Sequence, residues 1–274
     1  MSPPGAPDPI YVGAQRVLLD ALQALGPHRE AIVLVGAQAI YLHTGEGDLA
    51  LAPYTTDADL ALAPADVKET PRIDDLLVAA GFTRTDQPGS WRSHDLVVVD
   101  LMVPAALAGT GSRGARLGPH GKYAARKAKG LEAALIERAK LDVGALDPAD
   151  QRRLTVWVAG PAALLVAKLH KIGERVGSPR RQDDKDAHDV LRLLQYVPTA
   201  ALAASIRQLL ANPLSSAVTR EALSMLRTLF GTPAATGSLM AARATEGLEE
   251  AATITASCAA LASDLLAAKE TPRL

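Results

Sequence analysis

Cysteine and aromatic residues are scarce in this chain of 274 residues, and neither sign of charge is in excess. The single cysteine, Cys258, excludes an internal disulfide framework and a cysteine-rich zinc site, and it is compatible with a reducing cytoplasm. Lys and Arg together number 29 against 30 Asp and Glu. A surface for nucleic acid would therefore have to be a local feature.

Long apolar runs and targeting signals are lacking as well. No stretch reaches about 18 unbroken apolar residues, so neither a transmembrane helix nor a membrane partner is predicted. The N-terminal segment MSPPGAPDP has no basic start followed by an apolar run, and it therefore does not resemble a signal peptide. Apolar residues nevertheless make up 48% of the chain, which is ample for a buried core. We expect a globular protein of the cytoplasm.

The hydrophobic pattern changes character near residue 160. Before it, helical periodicity alternates with short strand-like runs, and after it the periodicity is helical throughout. We therefore predict an α+β fold, with a mixed sheet and flanking helices over residues 1–160 and an all-helical domain over residues 161–274. The predicted helices span 11–25, 37–42, 71–80, 161–176, 184–196, 199–210, 215–230 and 236–266. The predicted strands span 31–35, 57–61, 82–85, 96–103 and 154–158, with a loop over 108–130 and either a helix or a hairpin over 131–146.

Two aspartates alternate with apolar residues in the predicted strand over 57–61. A strand has a side-chain period of two, so Asp57 and Asp59 share one face, about 7 Å apart along the backbone. Carboxylates held this close repel each other unless a cation lies between them, and a hard cation such as Mg²⁺ can also bridge to phosphate oxygens. The alternative is a solvent-facing edge strand with two ordinary aspartates.

Two further features precede and follow this pair. Upstream, a short β-branched strand ends at Gly36 and is followed by Ala37 and a helix, an order that exposes backbone N–H groups to a phosphate. Downstream, Asp100 is the single polar residue within the run LVVVDLMV, where burial of a carboxylate is costly without a partner or a metal ion. The alternatives are a tight strand-to-helix turn for the first feature and a solvent-facing side chain for the second.

The helical part contains one basic and one acidic cluster. Lys168, Lys171 and Arg175 recur at i, i+3 and i+7 on one helix face, and Asp186 and Asp189 recur at i, i+3 on the next helix. Two antiparallel helices would bring these clusters together. An ordinary salt-bridge network between helices is the alternative to a functional site.

The order of strand, Gly36-Ala37 turn, helix and Thr-Thr-Asp57-x-Asp59 strand resembles the nucleotidyltransferase superfamily related to DNA polymerase beta. In that superfamily a Gly-Ser or Gly-Gly turn precedes a DxD or DxE pair, and a third carboxylate follows on a later strand, for which Asp100 is the match. The second half, with Lys168 and Arg175 followed by Lys185-Asp186 and Asp189, resembles the AbiEii-like branch, which includes the MenT toxins of toxin–antitoxin systems. The serine usual after the turn glycine is Ala37 here, which removes a hydroxyl that would contact phosphate.

The resemblance implies a Mg²⁺-dependent transfer of an NMP from an NTP to a hydroxyl. It implies that Asp57, Asp59 and Asp100 hold Mg²⁺, and that Lys168 steadies the phosphates. Asp186 would orient the acceptor, act as a base or hold Lys168 by an ion pair. The residues implied around the nucleotide are Gly36, Ala37, Thr56, Lys171 and Arg175.

The acceptor implied by the MenT resemblance is a tRNA 3′ end, with an antitoxin protein as a partner. Six basic residues in the predicted loop could contact an RNA backbone: Arg113, Arg116, Lys122, Arg126, Lys127 and Lys129. A solvated loop is the favoured explanation of these residues, because no aromatic residue beyond Tyr123 is interleaved for base stacking. Two other functions stay open. One is transfer to a small molecule of the aminoglycoside type, and the other is a degenerate fold that binds an NTP or a partner without turnover.

Overall fold

The chain forms two compact units. The sheet unit comprises Met1–Ala128 and Arg138–Ala159, and the helical unit comprises Lys129–Glu137 and Gly160–Leu274. The computed structural model describes residues 8–45, 57–111, 113–176, 184–245 and 249–269.

The division follows the predicted boundary near residue 160 but assigns one earlier segment, Lys129–Glu137, to the helical unit. Glu137 explains this assignment. Its backbone carbonyl accepts the N–H of Gly160 at 2.7 Å, and its carboxylate accepts the N–H of Ala163 at 2.6 Å. The segment thereby caps the first helix after residue 160. Hydrophobic periodicity does not reveal a cap that comes from a distant part of the chain.

The sheet unit contains three helices and eight strands within its described residues. The helices are α1 (Pro9–Ala24), α2 (Gly36–Thr44) and α3 (Ile73–Ala79). The strands are β1 (Ile32–Val35), β2 (Asp57–Leu62), β3 (Thr83–Arg84), β4 (Ser90–Arg92), β5 (Val98–Pro104), β6 (Arg126–Ala128), β7 (Arg138–Gly144) and β8 (Arg153–Ala159).

These strands form one mixed sheet in the order β3-β4-β5-β2-β1-β8-β7, with β6 also paired to β5. Three pairs are parallel, namely β2 with β5, β1 with β8 and β5 with β6, and the other pairs are antiparallel. The apolar runs in β1, β2 and β5 explain their central positions. Leu34, Leu60 and Leu101, one from each of these strands, are fully buried.

The predicted strands and helices of this unit are present, with three differences. Strand β6 lies within residues 108–130, for which a loop was predicted. Strand β4 was not predicted, because it has only three residues and two of them are polar. Strand β5 begins at Val98 rather than at Leu96, because Leu96 has a φ of 64° in the turn before it. Of the two alternatives for residues 131–146, the structure contains the hairpin, in which β7 pairs with β8 after a short 3-10 turn over Ala133–Leu135.

The helical unit contains six α-helices within its described residues: α4 (Pro161–Val176), α5 (Asp184–Tyr196), α6 (Thr199–Ala211), α7 (Ser216–Phe230), α8 (Thr236–Ala244) and α9 (Ala251–Ala268). The prediction of one helix over 236–266 is wrong, since two helices occupy this range. A straight helix of that length would extend over about 45 Å at 1.5 Å per residue. The break instead lets α8 pack against α5 and α9, and lets α9 pack against α6 and α7.

Helix α9 is the one helix among the described residues that is long and apolar enough to cross a membrane. Alanine dominates its sequence. Three of its four larger apolar side chains, Ile254, Leu265 and Leu266, are buried in the helical unit together with Cys258, and Leu261 is partly exposed. Burial raises the pKa of the Cys258 thiol to about 11, so this cysteine is a packing residue rather than a nucleophile.

The sheet ends on one side at β7. Its outward face carries Arg138 and Lys140, whose charged groups lie 4.7 Å and 5.1 Å from the ring centroid of Trp157 on β8. The indole N–H of Trp157 donates to Glu30 at 3.1 Å, and Lys140 also pairs with Glu30 at 2.9 Å. A polar network therefore covers the last two strands.

A buried histidine pair joins the segment before α3 to the rest of the sheet unit. His28 lies edge-on to His120, with ring centroids 5.3 Å apart, and its Nε2 donates to the carbonyl of Pro71 at 2.8 Å. His120 donates from Nε2 to the carbonyl of Lys68 at 2.8 Å and accepts the N–H of Ile73 at Nδ1. Burial lowers the pKa of His28, and the nearby His120 and Lys68 lower it further against the opposing hydrogen bond to Pro71.

We expect the sheet unit to lose stability as the pH falls below 6.5, the ordinary pKa of histidine. Below that pH the unfolded chain takes up a proton at His28 that the folded chain does not, because the folded pKa is lower. Equilibrium urea unfolding between pH 8 and pH 5 measures this loss. The dependence of the unfolding free energy on pH should be shallower in His28→Gln than in the wild type. It should be unchanged in His94→Gln, because the side chain of His94 is fully exposed. An equal slope in all three proteins would contradict the expectation.

Gly89 allows β4, β5 and β6 to approach one another, and we expect Gly89→Ala to destabilise the protein. Its φ is 74°, and an added Cβ would lie 2.3 Å from the carbonyl oxygen of Leu101 and 2.5 Å from the backbone nitrogen of Arg126. Gly81→Ala is the matched control, since Gly81 has a φ of 85° with open space around it.

We expect Gly81→Ala to cost roughly 1 kcal/mol from the backbone conformation alone. Gly89→Ala should cost about 2 kcal/mol more, because the clash involves backbone atoms. Chemical denaturation compares the two variants. Equal losses of stability in the two variants would show that the close approach of β4, β5 and β6 does not require glycine at position 89.

Candidate functional site

The turn between β1 and α2 lies directly against the Asp59 side chain. Gly36 has a φ of 73°, and a Cβ at this position would lie 2.2 Å from Asp59 Oδ2. Helix α2 starts at this glycine without a side-chain cap, because its N-cap residue is Val35. Backbone N–H groups of its first turn are therefore available to a ligand beside a carboxylate.

Gln38 fixes this turn to the start of β2. Its side chain is buried, and its Nε2 donates to the backbone carbonyl of Asp57 at 3.1 Å. Its Oε1 is also buried and has no hydrogen-bond partner among the described residues. Sequence analysis did not identify Gln38. The available signal was a polar residue one position after Ala37, in a helix start that is otherwise apolar.

Strand register brings three carboxylates to one face of the sheet. Asp59 pairs with Val35 of β1 on one side and with Asp100 of β5 on the other, and Asp57 precedes Asp59 by two residues on the same face. Both aspartates of β2 are partly exposed, whereas the alternate residues Ala58 and Leu60 are fully buried. We name Asp57, Asp59 and Asp100 the carboxylate face.

The carboxylate face suits a hard cation in its ligand type, since carboxylate oxygens are what Mg²⁺ prefers. The donors do not converge fully, however. Among the described residues, no group of three or more His, Cys, Asp and Glu side chains is arranged to hold a metal ion. Asp59 lies against the uncapped start of α2, and Asp57 lies two residues before it on the same strand face.

Asp100 has a cationic partner of its own. Arg126 on β6 donates from Nη2 to Asp100 Oδ2 at 3.0 Å, and both side chains are partly buried. Sequence analysis grouped Arg126 with the basic residues of a loop that contacts RNA. The structure instead directs this arginine to the carboxylate face, because a short strand that the sequence pattern does not reveal carries it there.

A cavity of about 660 Å³ opens beside Asp57 and Asp100. The exposed apolar side chains of Ile10 and Leu96 lie at its boundary, and the interior is mainly polar. The remaining lining residues are Thr85, Asp86, Gln87, Ser90, Arg92, Asp95, Val97 and Val98. Its volume is in the range of small-molecule sites in proteins. Asp59 does not line the cavity. Within the carboxylate face, Asp59 therefore lies against the Gly36 turn, and Asp57 and Asp100 line the cavity.

No protein-family model matches this chain, and no curated protein or solved structure matches it either. The resemblance to nucleotidyltransferases therefore depends on the sequence motifs.

The helical unit contains the second predicted group of residues as a buried ion cluster between α4 and α5. Lys168 Nζ lies 2.7 Å from Asp186 Oδ1 and 2.5 Å from Asp189 Oδ2. Asp186 also pairs with Lys171 at 3.3 Å and with Arg175 at 2.6 Å. We name these five residues the ion cluster. It contains three cations and two carboxylates.

Electrostatics keep the ion cluster charged despite its burial. Burial alone would lower the pKa of Lys168, but Asp189 and Asp186 raise it well above its ordinary value. Burial alone would raise the pKa of Asp186, but Lys168, Lys171 and Arg175 hold it well below its ordinary range. A fully buried carboxylate with such a pKa is poorly suited to act as a base near neutral pH. Of the three roles open to Asp186, the ion pair with Lys168 is the one with a contact in the structure.

The predicted site residues thus fall into two sets. Gly36, Ala37 and the carboxylate face lie together in the sheet unit, and the ion cluster lies in the helical unit. Thr56, predicted to lie near the nucleotide, is outside the described residues.

The basic residues predicted to contact RNA differ in their surroundings. Arg113, Arg116 and Lys122 are exposed. Lys127 donates to the carbonyl of Gly109, and Lys129 pairs with Glu221 at 2.5 Å.

We expect Lys168→Met to destabilise the protein by about 3–5 kcal/mol, because it leaves two buried carboxylates without their shared cation. The triple variant Lys168→Met, Asp186→Asn and Asp189→Asn should recover part of the loss. Lys140→Met is the control, since its pair with Glu30 is exposed and such pairs contribute at most about 1 kcal/mol. Guanidinium denaturation measures all three. Equal losses in Lys168→Met and Lys140→Met would show that the cluster contributes little.

Proposed function

We propose that this protein is a metal-dependent nucleotidyltransferase that moves an NMP from an NTP to a hydroxyl acceptor. The observation that carries the proposal is the position of Asp59. Its carboxylate fills the space above Gly36, beside the uncapped start of α2 and in register with Asp100. A cation and a triphosphate need this combination of carboxylates and free backbone N–H groups.

The order of elements supports the same proposal. A glycine turn between β1 and α2 is followed by a strand with two aspartates and then by an adjacent parallel strand with a third. This order matches the motif arrangement of the nucleotidyltransferase superfamily. Ala37 has no hydroxyl, so backbone N–H groups would make the phosphate contacts of this turn.

In the proposed reaction the acceptor oxygen forms a bond to the α-phosphorus while the bond from that phosphorus to the bridging oxygen breaks. Pyrophosphate leaves with the electron pair, and the hydroxyl proton passes to water. Asp57 and Asp59 would hold Mg²⁺, which supplies positive charge against the negative charge that develops on the triphosphate. N–H groups at the start of α2 would orient phosphate oxygens.

The acceptor would enter through the cavity beside Asp57 and Asp100. RNA is the acceptor that we favour, because the segment next to β6 exposes Arg113, Arg116, Lys122 and the aromatic ring of Tyr123. Basic side chains bind the phosphate backbone, and an exposed ring can stack on a base. A small hydroxylated molecule would also fit a cavity of about 660 Å³.

The helical unit offers a separate basic surface for an anion. Lys168 is fully engaged by two carboxylates, whereas Lys171 and Arg175 keep 28% of their side-chain surface exposed. Lys171 and Arg175 are therefore the members of the ion cluster that an approaching anion would contact. Lys168 and Asp186 would act by holding α4 and α5 together.

We expect Asp59→Asn to abolish transfer, with a loss of at least about a hundredfold, because the substitution removes the charge that binds the cation while preserving the shape of the side chain. The measurement is incubation of the full-length protein with total RNA, Mg²⁺ and each α-labelled NTP in turn, followed by separation of labelled products. Asp142→Asn is the control, since Asp142 is an exposed strand aspartate that accepts a hydrogen bond from Thr155.

The labelled product distinguishes the acceptors. Label on RNA that is lost in Asp59→Asn and kept in Asp142→Asn supports transfer to RNA. Label on a small molecule from a cell extract, with the same response to the two variants, indicates the small-molecule alternative. Mg²⁺-dependent NTP binding without release of pyrophosphate in either assay would overturn the proposed enzymatic activity. It would favour a degenerate fold that binds the nucleotide without turnover.

A further inference from the structure

The cavity beside Asp100 is lined by a buried hydroxyl that has no partner within the described residues. Ser90 of β4 pairs in register with Asp100 of β5, so the two side chains lie on the same face of the sheet. Ser90 is 8% exposed, and its side chain makes no hydrogen bond to any described residue. A buried hydroxyl is costly unless water or a ligand bonds to it. A polar ligand in the cavity would supply that bond.

The carboxylates of this cavity suit hydroxyl donors better than cations. Asp95 already pairs with Arg16 at 2.6 Å, and Asp100 already pairs with Arg126 at 3.0 Å. A carboxylate has about four lone-pair sites, so each of the two can still accept a hydrogen bond from a neutral hydroxyl. An ammonium group would be repelled by the two arginines. Asp86, which also lines the cavity, makes no ion pair within the described part of the chain.

Two exposed apolar side chains lie at the boundary of the cavity. Leu96 is 73% exposed, and its φ of 64° is the one positive φ among the described residues other than glycine. This backbone conformation is unfavourable for leucine, and such strain is often found where a ligand binds. Ile10 is 55% exposed in the first turn of α1. Both side chains are thus available to cover an apolar surface of a ligand.

Arg92 adds one cation to the lining of the cavity. It follows Ser90 by two residues on β4, so its side chain lies on the same face of the sheet. The Arg92 side chain is exposed and makes no ion pair with any residue that the structure describes. A guanidinium in this state is suited to a phosphate group. The cavity therefore combines acceptors for hydroxyl groups, an apolar boundary and one site for an anion.

We propose that this cavity binds the 3′-terminal nucleotide of an RNA chain. The ribose hydroxyls bond to Asp86 and Ser90. The base lies against Ile10 and Leu96, and the phosphate that precedes this nucleotide pairs with Arg92. The inference rests on the proposed nucleotidyl transfer, to which it adds the group that accepts the NMP. A nucleotide fits within a volume of about 660 Å³.

The test measures RNA binding to the full-length protein without Mg²⁺ and without NTP. The probe is a short single-stranded RNA with fluorescein at its 5′ end, and fluorescence anisotropy gives its affinity. Wild type should bind this RNA about tenfold more tightly than the same RNA with a 2′,3′-dideoxy end, because the hydroxyl groups make hydrogen bonds to a charged acceptor. Equal affinities for the two RNAs would overturn the inference.

Two variants assign this preference to residues of the cavity. Ser90→Ala and Asp86→Ala should each reduce it to about threefold or less, because each removes one hydrogen-bonding partner of the ribose. Asp75→Ala is the matched control, since Asp75 is exposed on α3 and does not line the cavity. Circular dichroism confirms that each variant is folded. A preference that survives in Ser90→Ala and Asp86→Ala would place the RNA end elsewhere.

Leu96→Asn separates ligand binding from a structural role of the turn. Asparagine adopts a positive φ more readily than leucine, so the Tm should not fall. The affinity for both RNAs should fall by about threefold or more, because the base loses an apolar contact. Val78→Asn is the control, since Val78 is 62% exposed on α3 and does not line the cavity. A lower Tm with unchanged affinity would show that Leu96 has a structural role only.

A free ribonucleoside distinguishes an RNA end from a small ligand with the same hydroxyl groups. It lacks the phosphate for Arg92 and should bind at least about tenfold more weakly than the RNA, and Arg92→Gln should narrow this difference. Equal affinities of wild type for the nucleoside and the RNA would overturn the assignment to RNA.

The binding assay and the transfer assay can fail separately. Label on RNA without any preference for the hydroxylated end would overturn the role of this cavity and keep the proposed transfer. A clear preference for the hydroxylated end, with no labelled product from any NTP, would support the binding site and overturn the transfer.

Discussion

The lack of a side chain at Gly36 is the constraint on which the candidate site depends. Asp59 occupies the volume that any other residue would need there, and the left-handed backbone of the turn starts α2 at the same point. Because β2 is hydrogen-bonded to β1 on one side and to β5 on the other, the backbone of Asp59 is held in place beside this turn. The missing Cβ at this position thus sets the distance between the start of α2 and the carboxylate of Asp59.

Much of this arrangement was predictable from the sequence, because it depends on local patterns. The period of two in the DADLA run predicted that Asp57 and Asp59 share a face, and the burial of Ala58 and Leu60 confirms it. The helical periodicity of α4 and α5 predicted both helices with the bounds that they have. The α+β class with a mixed sheet is confirmed, whereas the activity stays a prediction.

What could not be predicted depends on contacts between distant parts of the chain. Arg126 lies 26 positions after Asp100, in a segment whose composition indicates a loop, and only the pairing of β6 with β5 brings the two together. The break between α8 and α9 lets the two helices pack against different neighbours, and Gly247 was the available sequence signal for it. Likewise, the carbonyl and carboxylate of Glu137 cap α4 from a segment that precedes two strands.

The network over the last two strands has a consequence for association between molecules. Strand β7 is the end of the sheet, and an edge strand of seven residues is a template to which a strand of another chain can add. Arg138 and Lys140 lie on this strand with their charges above Trp157, and Asp142 follows them on the same face. An incoming strand would have to remove water from the exposed charged groups of Lys140 and Asp142, so the polar residues of this strand also oppose the addition of another strand at this edge of the sheet.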